Sequence, residues 1–201
     1  MQAFTQVDAV AAPLARSNVD TDQIVPALYL QKPRSDNFGR YLFHDVRHDA
    51  TGARRRDFVL NDPVYAQAGI LVADRNFGCG SSREHAVWAL HDGGFRAVVA
   101  PSFGDIFYSN ALKNGLLPVR LPEDVVQAML AGLLAAPGSR MCVDLQAQTV
   151  SWSCGVAHFD IDPFPRLCLL QGLDEIDYTL AQRQRIEDFE RRRAADADLF
   201  I

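Results

Sequence analysis

The chain has 201 residues, 48% of them hydrophobic and 22% charged, with a formal net charge of -5 at neutral pH. Those proportions support a packed core and exclude bulk disorder, and the acidic balance argues against nucleic acid or an anionic membrane as partner. The length suits one domain with appendages, and we read residues 1–201 as a single unit.

In chain order, Met1 to Ala15 carries no cationic patch ahead of an apolar run, and no stretch is long and apolar enough to span a bilayer. A cytoplasmic protein is expected. Pro26 makes the run Gln23 to Leu30 a short edge strand or a turn into one. From Lys32 to Asp57 there are seven cationic side chains (Lys32, Arg34, Arg40, Arg47, Arg54, Arg55, Arg56) against four aspartates. This stretch predicts a long loop over about residues 31–57, and loops of that length are uncommon in compact domains unless functional or ordered by a partner. Two readings stand: a solvated loop, or a basic lip beside an anionic substrate or an acidic partner.

Asp62-Pro63 signals a helix start and Gly69 its stop, and Ile70 to Ala73 follows as a buried strand. A glycine-containing turn over Asn76 to Ser82 leads to a helix, Glu84 to His91, which Gly93-Gly94 ends. Ala97 to Ala100 repeats the strand signal, and Ser102 with Asp105 three residues later opens a helix that Gly115 closes. After Pro122, Val125, Val126, Met129, Leu130, Leu133 and Leu134 recur at helical spacing until Pro137-Gly138. Met141 to Ala157 reads as an antiparallel hairpin, and Glu175 to Arg193 as a charged, weakly amphipathic helix over about residues 175–195. Alternating strands and helices predict an α/β layer.

The chemistry concentrates in Asn76-Phe77-Gly78-Cys79-Gly80-Ser81-Ser82-Arg83-Glu84-His85. A turn between strand and helix offers backbone N–H groups at a helix N-terminus, where partial positive charge favours an anion. Arg83 adds a planar fork suited to a carboxylate, and glycines such as Gly80 let a ligand approach the backbone. A dinucleotide fingerprint would need glycine where Arg83 stands, and a phosphate-binding loop would need Gly-Lys-Ser or Gly-Lys-Thr. A nucleophile elbow needs Gly-x-Ser-x-Gly, which Ser82 and Arg83 interrupt. The bland alternative for Ser81 is a capping box with Glu84, worth about 1 kcal/mol. His85 and His91 read as packed or surface helix residues, and Cys79 as an inert thiol. Cys79, Cys142, Cys154 and Cys168 form no Cys-x-x-Cys pair, so this chain alone is not expected to build a metal or iron-sulfur site.

Gly78-Cys79-Gly80-Ser81-Ser82-Arg83-Glu84-His85 resembles the signature of the swivelling domain of the aconitase superfamily. The likeness extends to Asp20-Thr21-Asp22-Gln23-Ile24-Val25-Pro26, Ala100-Pro101-Ser102-Phe103-Gly104-Asp105-Ile106-Phe107, Lys113-Asn114-Gly115-Leu116-Leu117-Pro118 and Phe159-Asp160-Ile161-Asp162-Pro163-Phe164. In that order, these blocks resemble the small subunits of bacterial isopropylmalate isomerases. The resemblance implies an α/β swivelling domain with β/β/α layering and a C-terminal helical extension. It implies exchange of 2- and 3-isopropylmalate through 2-isopropylmaleate, in a heterodimer whose large subunit holds a 4Fe-4S cluster. It also implies Ser81 as the base that takes a proton from carbon, with Gly80, Ser82 and Arg83 binding a substrate carboxylate. Tyr29-Leu30-Gln31-Lys32 resembles the family's specificity loop, where Leu30 would pack on an isopropyl group. A further substrate arginine is expected among Arg34, Arg40 and Arg54 to Arg56. The rival readings are a related hydro-lyase acting on citraconate or 2-methylmalate, and a non-catalytic anion-binding domain.

Overall fold

The computed structural model describes residues 1–34 and 38–197, with side chains through Ala194. Four parallel strands, β1 (Gln6–Leu14), β2 (Ala68–Ala73), β3 (Ala97–Ala100) and β4 (Leu117–Arg120), make one half of a mixed sheet. Three antiparallel strands, β5 (Arg140–Asp144), β6 (Thr149–Trp152) and β7 (Gly155–His158), make the other, in the order β4-β3-β2-β1-β5-β6-β7. β1 joins the halves, pairing with β2 along Val10 to Leu14 and with β5 along Gln6 to Val10.

Every residue of β2 and β3 is buried, as expected of parallel strands covered on both faces. Their side chains alternate between two cores. Leu71, Ala73, Val98 and Ala100 face one core with the helices α3 (Glu84–Asp92) and α4 (Asp105–Lys113). Ile70, Val72, Ala97 and Val99 face the other, with α5 (Glu123–Ala135), α6 (Pro163–Gln171) and Met141, Val143 and Val150 of the antiparallel half. Two further helices, α7 (Glu175–Ala181) and α8 (Arg183–Ala197), follow. This is an α/β fold, as the alternating strand and helix signals predict.

The structure departs from the expected elements in several places. β1 carries no clear strand signal, because Ala9, Ala11 and Ala12 are weak strand formers and Pro13 demotes the run. Pro13 is tolerated because β5 pairs only as far as Val10. Gln23 to Leu30 is not a strand: the helix α1 (Thr21–Ile24) and a 3-10 turn over Ala27–Tyr29 occupy it, with Asp20 capping Gln23 N–H. The 31–57 segment holds a 3-10 turn (Phe38–Tyr41), the helix α2 (His44–Arg47) and a bridge between His48 and Arg54. Its buried Phe38, Tyr41, Leu42 and Phe43 tie it to the core, so a mainly solvated loop is corrected to a packed segment; residues 35–37 lie outside the described ones.

Asp62-Pro63 begins only a 3-10 turn (Pro63–Tyr65), because Ala68 is already committed to β2 opposite Val10. Gly69 is no helix stop: it lies in β2, where a Cβ would sit 2.8 Å from Ala9 Cβ. The hairpin gains a third strand, and a capping box at Asp174 and Asp177 starts a separate helix before α8, so the single C-terminal helix is two.

Candidate active site

The loops after β1, β2 and β3 leave the same carboxyl edge of neighbouring parallel strands, where open α/β sheets place their ligands. They are stitched side by side. Gly78 N–H donates to the Val19 carbonyl at 2.7 Å, Thr21 N–H to the Cys79 carbonyl at 2.9 Å, and Phe77 N–H to the Ser102 carbonyl at 3.0 Å. Ser102 Oγ accepts from Asn76 N–H at 2.8 Å rather than capping α4, which begins at Asp105 with Gly104 as its N-cap.

The turn itself is a left-handed excursion, with φ of +60° at Asn76, +70° at Gly78 and +90° at Gly80. A Cβ on Gly78 would overlap the Phe107 ring, which explains glycine there. Ser81 and Ser82 are exposed at the rim. The buried Thr21 donates its hydroxyl to the Ser81 carbonyl at 2.9 Å and so fixes the backbone that carries the Ser81 side chain.

α3 begins at Glu84 with Arg83 in the N-cap position and no side-chain cap; Ala86 N–H donates to the Arg83 carbonyl at 3.3 Å, which leaves the N–H groups of Glu84 and His85 free for a ligand. The capping box is absent: Glu84 Oε1 instead accepts from Asn114 Nδ2 at 2.7 Å, while Asn114 Oδ1 accepts from Trp88 Nε1 at 3.0 Å. Arg83, mostly buried, forms an ion pair with Asp22. Thr21, Asp22 and Asn114 were missed as site-building residues by sequence reasoning. The signal lay in the blocks Asp20 to Pro26 and Lys113 to Pro118, which carry them.

The remaining candidates fall around this turn or away from it. Burial, reinforced by Asp20, pushes the Cys79 thiol up, keeping it protonated and weakly reactive. His85 packs against Trp88 at 4.5 Å and Phe38 at 6.0 Å. Tyr29 stacks on Tyr41 at 4.3 Å, Leu30 is half-buried, and Gln31 and Lys32 are exposed. Arg34 reaches Asp92 at 3.4 Å and lies over the Trp88 ring. Phe159 is buried in the core on the other face of the sheet, away from the turn.

Residues 1–124 match the family model of the aconitase C-terminal domain, and residues 128–163 match that described as LeuD_N. The chain is 49% identical to the 3-isopropylmalate dehydratase small subunit of Rhodospirillum centenum, covering 98% of this chain and 97% of that one. The protein of the same description from Roseobacter denitrificans is 47% identical, covering 96% and 97%. The chain belongs to the family of 3-isopropylmalate dehydratase small subunits. A solved structure described as 3-isopropylmalate dehydratase (leuD) from Methanocaldococcus jannaschii superposes with a TM-score of 0.65 at 26% identity, over 92% of this chain and 99% of that one.

For a member of this family the site offers an exposed hydroxyl, unpaired helix N–H groups and a guanidinium, a set suited to an organic anion. It does not offer metal ligands: among the described residues no group of three or more His, Cys, Asp or Glu side chains converges. No helix among them is long and apolar enough to cross a membrane.

Proposed function

We propose that this chain serves as the small subunit of a 3-isopropylmalate dehydratase, a hydro-lyase of leucine biosynthesis that interconverts 2- and 3-isopropylmalate through 2-isopropylmaleate. The observation that carries this reading is near-full-length similarity to proteins of that description, combined with Gly80, Ser81, Ser82 and Arg83 on the carboxyl edge of the sheet.

Ser81 is the base. A serine hydroxyl is a weak base in water, and its alkoxide needs concentrated positive potential in a closed, dry site. The uncapped N-terminus of α3 and the Arg83 guanidinium supply such potential beside it. The Ser81 oxygen takes a proton from a substrate carbon as water is lost, and returns it when water adds back in the other orientation. Gly80, Ser82 and Arg83 hold a substrate carboxylate, in the way that Arg83 holds the Asp22 carboxylate. Tyr29, Leu30, Gln31 and Lys32 select the substituent, with Leu30 against the isopropyl group.

Residues 1–201 act as one swivelling unit, a reading supported by β1 holding both halves of the sheet. The cysteines do not fit a 4Fe-4S cluster: Cys168 is buried, Cys154 exposed, and none of the four joins a converging ligand group. The cluster belongs to a large subunit, with which this chain forms a heterodimer in the cytoplasm.

The test is reconstitution with an anaerobically prepared large subunit, offering 2-isopropylmalate, citraconate and 2-methylmalate separately and following the unsaturated intermediate by its ultraviolet absorbance. Turnover of isopropylmalate that requires both chains is expected. Preference for citraconate would keep the chemistry and replace the substrate, and turnover by this chain alone would contradict the two-subunit reading.

A further inference from the structure

Apart from Lys32, the cationic stretch up to Asp57 has been given no place in the Ser81 turn, and the fold gathers three of its arginines, Arg40, Arg47 and Arg54, around one cavity. Tyr29, Arg40, Tyr41, His44, Arg47, His48 and Arg54 line a cavity of about 330 Å³, and none of residues 76–85 contributes to it. We propose that this cavity is a second anion site, which takes a small oxyanion of two or more negative charges, either a phosphate or a dicarboxylate.

Two of its cations, Arg40 and Arg47, are held in place by contacts within the chain. Arg47 donates from Nε to Asn61 Oδ1 at 2.9 Å and from Nη2 to the Leu60 carbonyl at 3.2 Å. Asn61 in turn donates to the Arg47 and Arg55 carbonyls at 2.7 and 2.8 Å. Arg40 lies over the Tyr41 ring, 4.7 Å from its centroid, and bonds the Tyr41 hydroxyl. His48 is tied through Nδ1 to the His44 carbonyl at 2.9 Å. A guanidinium fixed in this way loses little side-chain freedom when it grips an anion, and its fork matches both carboxylate and phosphate oxygens.

The positive charge here is also in excess. Among the described residues no carboxylate pairs with Arg40, Arg47 or Arg54, and Asp45 of the same segment is engaged with His44 at 3.0 Å. Burial lowers the Arg47 pKa and the charge of the neighbouring Arg54 lowers it further. An anion between them relieves that repulsion. Tyr29, which opens the Tyr29 to Lys32 segment, forms one wall through its stack on Tyr41 and its edge contact with His44 at 5.0 Å. Occupancy is therefore felt at the start of that segment.

The test is calorimetric titration of the full-length chain at fixed ionic strength with pyrophosphate, inorganic phosphate and malonate. Saturable binding of one or more of them is expected to persist in Arg83→Gln, which removes the carboxylate fork of the turn, and in that background to be weakened at least about tenfold by Arg54→Glu and by Arg40→Gln with Arg54→Gln. Arg54 is exposed and outside the core, so Arg54→Glu keeps the test valid if the double variant unfolds. Binding of phosphates alone identifies a phosphate ligand, and binding of malonate alone a dicarboxylate; both support the site. Absence of saturable binding, or loss with Arg83→Gln but not with Arg54→Glu, would overturn it.

Discussion

Arg83 and Asp22 form an ion pair that spans the site, joining the loop after β2 to α1. The guanidinium is mostly shielded while the carboxylate is half exposed, so the pair presents a preset fork whose present occupant can give way to a ligand carboxylate. Lysine supplies the charge without the fork. Arg83→Lys should lower kcat/KM by at least about tenfold to a hundredfold while shifting stability by no more than about 1 kcal/mol, since lysine keeps the charge beside the half-exposed Asp22. Steady-state kinetics and urea unfolding on one preparation check this; equal losses of both would mark Arg83 as structural.

Thr21 is a positioning residue acting through the Ser81 carbonyl. Thr21→Val keeps the shape and removes the donor, costing about 0.5–1.5 kcal/mol in stability. We expect kcat to fall more than KM rises, with Thr21→Ser restoring activity. A variant that loses stability alone would confine Thr21 to a packing role.

Gly78→Ala combines two penalties, a left-handed φ and a Cβ overlapping the Phe107 ring. The expected loss is about 2–4 kcal/mol, read from urea midpoints. Pairing it with Phe107→Leu should recover part of that loss through relief of the overlap. No recovery would place the whole cost in the backbone.

His91 is pushed below its ordinary pKa by burial first and by Arg96 next, with Asp92 at 3.6 Å opposing. The unfolded chain therefore takes up this proton near pH 6.5 while the folded chain resists it. Its contribution to stability is present above that pH and is lost as pH falls toward the lower folded value. Thermal unfolding from pH 7.5 to 5 should show a falling Tm, and His91→Gln should flatten part of the slope. An unchanged slope would assign the loss to other groups.

What could be read from the chain follows from how local each signal is. β3 was expected at its observed bounds, and α3 and α5 nearly so, because buried apolar runs and helical periodicity are written within a few residues. β1 was not, because its identity as a strand comes from partners far along the chain, near Ala68 and Met141. At the site, Ser81 and Arg83 stand out by residue type. Thr21, Asp22 and Asn114 act through contacts 60, 61 and 30 residues away, which spacing does not reveal. The capping-box alternative for Ser81 was equally local and failed because α3 starts only at Glu84, with Arg83 rather than Ser81 as its N-cap, and Asn114 from the end of α4 bonds Glu84.

The proposed chemistry turns on the Ser81 oxygen as the base. The direct measurement is the initial rate of Ser81→Ala, joined to its large subunit, at saturating 2-isopropylmalate. If Ser81 is the base, kcat falls at least about a hundredfold, with Tm and subunit association unchanged. Undiminished turnover by the alanine variant would contradict it and return Ser81 to a structural place in the turn.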